Sequence, residues 1–127
     1  MRVLGIDYGT KRVGVAIGDT EARVAVPLMV IHSSEEIVQK IAEIVKADQV
    51  QLLVIGQGGK GSMEKKVQTF TEKLRKFVRV EIADEHFTTV QVERAMKGYG
   101  KARKGVDKDS ASAALILQSY LERWSER

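Results

Sequence analysis

The chain has 127 residues, enough for one ordinary domain with its own core and too few for two. Hydrophobic residues make up 43% and charged residues 30%, as in soluble globular proteins, and zero cysteines exclude disulfides and thiolate metal sites. Lys and Arg number 21 against 17 Asp and Glu, a net charge of +4 that leans toward polyanionic partners. No apolar run approaches the roughly 20 residues of a membrane helix. The opening MRVLGIDYG lacks the charged, apolar and cleavage regions of a signal peptide, so a cytoplasmic protein without membrane contact is expected. With only His32 and His86, far apart in the chain, a metal would need oxygen ligands.

In chain order, MRVLGI reads as an apolar strand closed by Asp7, YGTKR as a turn, and VGVAIG as the returning strand of a hairpin. RVAVPLMVI, residues 23–31, predicts a third strand in which Pro27 favours a sheet edge or a bulge. Ser33 and Glu36 have the spacing of a capping box, and Ile37, Val38, Ile41, Ile44 and Val45 recur at helical intervals, so a helix is expected over 34–47. VQLLVIG, residues 50–56, is apolar almost throughout, as in a strand covered on both faces. After GQGGKGS a second helix resumes near Met63, with Val67, Phe70, Leu74 and Phe77 on one face. VRVEIA, 78–83, alternates as a strand does. DEHFTT then leads into a shorter helix capped by Thr88 or Thr89 and ended by the glycines of KGYGK. A basic loop follows, in which Lys97, Lys101, Arg103, Lys104 and Lys108 face the single acid Asp107. A last helix opens between Asp107 and Ser110. The order β-β-β-α-β-α-β-α-α predicts one mixed sheet, an antiparallel meander followed by parallel strands, with helices on both faces and a single domain over 1–127.

Two glycine turns bear on function. GQGGKG, Gly56 to Gly61, matches the dinucleotide spacing G-x-G-x-x-G, with Glu81 and Asp84 as candidate ribose contacts. Such a turn normally opens the sheet, however, and here a meander and a helix precede it. The first turn, Asp7 to Thr10, resembles the phosphate-binding turn of actin-like ATPases and sugar kinases, but those close two large lobes on the nucleotide. Asp7 itself reads either as a turn cap or as a carboxylate held for chemistry. Asp84 and Glu85 follow a strand, and Asp107 and Asp109 start a helix. When strands run parallel, strand ends and helix starts share one rim, so three separated acids converge there. Each acid also has a plain reading as a cap or a solvated turn charge. Asp107, Ala111 and Ala114 share a helix face, where small residues permit close approach to the sheet. Clustered carboxylates repel, and a hard divalent cation, Mg²⁺ or Mn²⁺, removes the conflict; one or two such ions are expected. Lys11, Arg12 and the 97–104 loop would then grip a phosphate backbone without base specificity.

GIDYGTKRVGVA at the start, PL at 27–28, DEHFTT at 84–89 and KGVDKDSASAALILQSYL at 104–121 resemble, in order and along the whole chain, the YqgF family of ribonuclease H-like proteins. That family comprises pre-16S rRNA nucleases, also described as Holliday junction resolvase homologues. The resemblance implies a ribonuclease H-like fold and, residue by residue, Asp7, Glu85 and Asp107 as the acidic positions, with Asp84 and Asp109 as second choices. Departures are His86, where the family shows arginine, and GQGGKG, where it reads GLP. Gln57 and Ser110 stand where junction-resolving relatives carry further acids.

The expected function is metal-dependent phosphodiester hydrolysis at the 5′ end of precursor 16S rRNA, by a monomer or homodimer. Asp7, Glu85 and Asp107 would serve as catalytic metal ligands, and Gly9, Lys11, Arg12, Lys101, Arg103 and Lys104 as nucleic-acid contacts. The alternatives are a dimeric junction-cutting DNA endonuclease using the same acids and a non-catalytic RNA-binding module.

Overall fold

The computed structural model describes residues 1–9, 11–56, 62–83 and 108–124, the last two segments with side chains from 65 and from 110 onward. Within them lie five strands and three helices: β1 Arg2–Tyr8, β2 Arg12–Asp19, β3 Val24–His32, α1 Ile37–Ala47, β4 Val50–Gly56, α2 Ser62–Leu74, β5 Arg79–Ala83 and α3 Lys108–Glu122. The strands form one sheet in the order β3-β2-β1-β4-β5. β1 pairs antiparallel with β2 and β2 with β3, whereas β1–β4 and β4–β5 are parallel. This is the expected meander followed by parallel strands. The short helix expected after DEHFTT lies outside the described residues.

Alternation along the strands divides the core between two faces. Leu4, Ile6, Val13, Val15, Leu53 and Ile55 pack under α1 and α2, with Ile37, Ile41, Val45, Val67, Phe70 and Leu74 as the helical half. Val3, Ala16, Leu52 and Val54 face Ala113, Ala114, Ile116, Leu117 and Leu121 of α3. β4 has α1 on one face and α3 on the other, which is why its sequence is apolar on both parities.

Three local expectations are sharpened. Pro27 sits in edge strand β3, next to a register shift in which Val15 pairs with Met29 and Ala16 with Pro27, leaving Leu28 as the extra residue of a bulge. The capping box does not form. The Ser33 hydroxyl donates to the Gly9 carbonyl at 3.0 Å instead, while the Glu36 amide donates to Ser34 Oγ at 3.2 Å, so α1 starts at Ile37. Ser33 thus ties the end of β3 to the β1–β2 turn, a task that its helix-cap spacing conceals. Phe77 falls beyond the end of α2 and is 59% exposed, where the periodicity places it on the buried face.

Candidate active site

The parallel pairing sets one row across the carboxyl ends of three strands. Asp7 pairs with Gly56, and Gly56 with Ala83. At a spacing of about 4.8 Å per strand, Asp7 and Ala83 lie roughly 10 Å apart. Ala83 packs against the core under α3. Asp7 shares the parity of Gly5, whose missing Cβ would meet Leu117 Cβ at 2.6 Å and the Ala113 carbonyl oxygen at 2.9 Å. The half-buried Asp7 carboxylate therefore belongs to the α3 face of the sheet.

The direction of α3 completes the geometry. Leu121 reaches Gly18, which pairs with Val3, while Leu117 and Ala113 lie over Gly5. Descending the helix thus means ascending β1. Two strand residues beyond Gly5 advance about 6.6 Å, and four helix residues back from Ala113 about 6 Å. The first turn of α3 is accordingly level with Asp7. Asp109 stands in that turn, and Lys108, which follows Asp107 in the sequence, is the first residue of the helix. Ser110 in the same turn is buried.

Lys11 and Arg12 are exposed at the turn that follows Asp7. Gly9 has a packing reason to be glycine, since a Cβ there would lie 2.5 Å from the Arg12 carbonyl oxygen across the turn. Asp84, Glu85, Asp107, Lys101, Arg103, Lys104 and the GQGGKG turn from Gln57 onward lie outside the described residues, as does the side chain of Asp109. Among the described residues no group of three or more acidic, histidine or cysteine side chains is placed to hold a metal. Glu81, a candidate ribose contact in the dinucleotide reading, accepts from the Tyr120 hydroxyl of α3 and pairs with Arg79 at 3.1 Å. Its carboxylate thereby joins helix to sheet.

A five-stranded mixed sheet in this order, with helices on both faces, defines the ribonuclease H-like fold of junction resolvases. The chain superposes on fowlpox virus resolvase bound to Holliday junction DNA with a TM-score of 0.68 at 14% identity, covering 96% of this chain and 97% of that one. With Thermus thermophilus RuvC in complex with a Holliday junction the TM-score is 0.63 at 17% identity, over 95% and 93%.

Sequence comparison is more specific. The chain belongs to the RuvX family, described as Holliday junction resolvase, whose model matches residues 1–123. A relative from Caldanaerobacter subterraneus subsp. tengcongensis, named "Putative pre-16S rRNA nuclease", is 40% identical over 136 residues, covering 96% of each chain. One of the same name from Sulfurihydrogenibium sp. is 35% identical, covering 98% of this chain and 92% of its own. The chain is thus a member of a nuclease family. Sequence reasoning did not single out Tyr8, Lys65, Lys66 and Lys73, which line a cleft beside β1. The adjacent lysines of SMEKKVQTF are the signal the sequence offers for it.

Proposed function

We propose that this chain cuts phosphodiester bonds with the help of a divalent cation and trims the 5′ end of precursor 16S rRNA in the cytoplasm. The observation that carries the reading is the row Asp7–Gly56–Ala83 at the carboxyl edge of three parallel strands, with the first turn of α3 level with Asp7 on the same face. Glu85 stands two residues beyond Ala83, and Asp107 one residue before α3. Both therefore adjoin elements that end or begin at the rim where Asp7 is held.

Asp7, Glu85 and Asp107 would hold one or two Mg²⁺ or Mn²⁺ ions, with Asp84 and Asp109 as the nearest substitutes. All five are hard oxygen donors, the set that suits these ions, and the chain has no cysteine to favour softer metals. The chemistry such an ion supplies when bound is activation of water and stabilisation of the leaving oxygen. The protein's part is to fix the carboxylates. Asp7 is anchored by a strand paired on both sides, so its position does not depend on a loop. Lys11 and Arg12, and from the basic loop Lys101, Arg103 and Lys104, neutralise phosphates on either side of the cut, and Gly9 keeps the turn between Asp7 and Lys11 tight.

Asp7→Asn keeps the shape of the side chain and removes its charge. Cleavage of precursor rRNA ends in Mg²⁺ or Mn²⁺ is expected to fall roughly a thousandfold or more, the rate equivalent of about 4 kcal/mol of transition-state stabilisation. The urea midpoint should stay near that of the wild type, and wild-type rates in the variant would refute the assignment.

A second reading, cleavage of four-way DNA junctions, is favoured by the resolvase fold itself. Parallel assays on rRNA ends and junction DNA, with the mass in solution, separate the two. Symmetrical paired nicks by a dimer select the junction. Salt-sensitive RNA binding with neither metal uptake nor cleavage selects a non-catalytic RNA-binding module.

A further inference from the structure

On the face opposite Asp7, α1 and α2 part at the carboxyl end of β1 to leave a cleft of about 310 Å³. Tyr8 and Phe70 form its aromatic side, with ring centroids 4.7 Å apart and planes tilted by 43°. Lys65, Lys66 and Lys73 line it from α2, and Glu35, just before α1, is the one acid in its wall among the described residues. Lys65, Lys66, Phe70 and Lys73 recur along a single side of the helix, so the cationic wall and the aromatic contact are built by the same turns. The three lysines are exposed, whereas Phe70 is buried and Tyr8 half-buried. Ammonium groups thus stand over an apolar base. Nothing in the rim chemistry around Asp7 uses these groups.

We propose that this cleft holds a single-stranded arm of the nucleic-acid substrate, one base against Tyr8 and the flanking phosphates on Lys65, Lys66 and Lys73. The inference rests on the nuclease reading above and names where the strand goes after it leaves the cut. An aromatic platform beside a cationic wall is the combination that binds single strands without sequence preference. The volume is at the low end of the roughly 300–1,000 Å³ of small-ligand pockets, enough for one nucleotide-sized group and too small for a duplex. Position supports the same occupant. Asp7 and Tyr8 are consecutive and point to opposite faces of β1, and the exposed Lys11 and Arg12 lie at the rim just beyond them. A strand crossing that rim from Asp7 meets phosphate-binding charge first and the cleft next.

The test measures binding of labelled duplexes with and without a single-stranded tail by fluorescence anisotropy, in chelator so that nothing is cut. The wild type should prefer the tailed form. Lys65→Gln/Lys66→Gln/Lys73→Gln should weaken tailed binding at least about tenfold, bring the tailed-to-untailed ratio toward one, and lower the salt slope for the tailed form by about 2. Lys40→Gln/Lys46→Gln/Lys76→Gln removes the same charge elsewhere and should leave the ratio in place. Tyr8→Leu should lower the ratio roughly tenfold while Tyr8→Phe, which keeps the ring, restores it. Glu35→Gln should raise it. A wild type without tail preference overturns the proposal, and so does an equal loss on both substrates or an equal effect of the two triple variants. Cleavage is scored separately, so a protein that cuts neither RNA nor junction refutes the nuclease reading while the tail preference is still read directly.

Discussion

Gly5 shows how tightly a single position can bind two elements together. Its absent Cβ leaves the space that Leu117 Cβ and the Ala113 carbonyl occupy, and one of those neighbours is backbone that cannot swing aside. Gly5→Ala is therefore expected to destabilise the protein by about 1–3 kcal/mol, as overpacking of a filled core does. Urea denaturation of the variant checks this, and the loss should be accompanied by lower nuclease activity, because lifting α3 moves its first turn away from Asp7. The small residues of SASAALI thus act through what they omit. Ala113, Ala114 and Gly5 are all fully or nearly fully buried, and each lets the helix lie closer to the sheet than a larger residue would.

At the level of elements, the antiparallel meander followed by parallel strands, the buried face of α1 and the edge character of β3 were legible in the sequence, because each rests on a local pattern: the succession of strand and helix segments, helical spacing from Ile37 to Val45, a proline in RVAVPLMVI. What one segment does for another was not. Ser33 has the spacing of a helix cap, yet it spends its hydroxyl on Gly9, 24 residues away, because the chain end of β3 passes beside the β1–β2 turn. Its amide donates to the Lys11 carbonyl at 2.9 Å in the same place. Ser33→Ala should cost about 0.5–1.5 kcal/mol by urea denaturation, the ordinary net worth of such a bond, without shortening α1. A helix shortened at its start, seen as lost amide protection at Lys40 and Ile41, would show that the cap reading was right after all. For the candidate site, a shared rim of strand ends and helix starts could be reasoned from parallel strands, and the pairing sets Asp7 level with Gly56 and Ala83. The cleft could not. Tyr8 and Lys65 are 57 positions apart, and only the contact of Phe70 in α2 with Tyr8 brings them to one cleft.

For the molecule as a whole, the two ends of the sheet carry different electrostatics. At the carboxyl rim stand Asp7, Lys11 and Arg12; at the opposite end Asp19 accepts the Glu21 amide at 2.7 Å and lies 3.8 Å from the ammonium of Met1. The Glu21 hydrogen bond, which outweighs the opposing effect of partial burial and is helped by the terminal ammonium and Arg2, holds the Asp19 carboxyl below the ordinary value of 3.8. A lowered folded-state value stabilises the protein above the ordinary aspartate range, and that contribution disappears as pH falls through the lowered value. Urea midpoints followed from about pH 5 to about pH 2 should drop for the wild type and drop less for Asp19→Asn, the two curves converging at the acid end. Among the described residues no helix is long and apolar enough to cross a membrane.

The alternation of β1 has a consequence for how the gene can change. Leu4 and Ile6 enter one core, Gly5 fits beneath α3, Asp7 follows on that side and Tyr8 on the other, so the strand is read in steps of two. One codon gained or lost between Leu4 and Asp7 would exchange every assignment downstream, sending the carboxylate under α1 and the aromatic ring toward α3. Point changes along this segment are graded in their cost, whereas a shift in its length is all-or-none. Side chains here can drift one at a time, but the count of residues is locked.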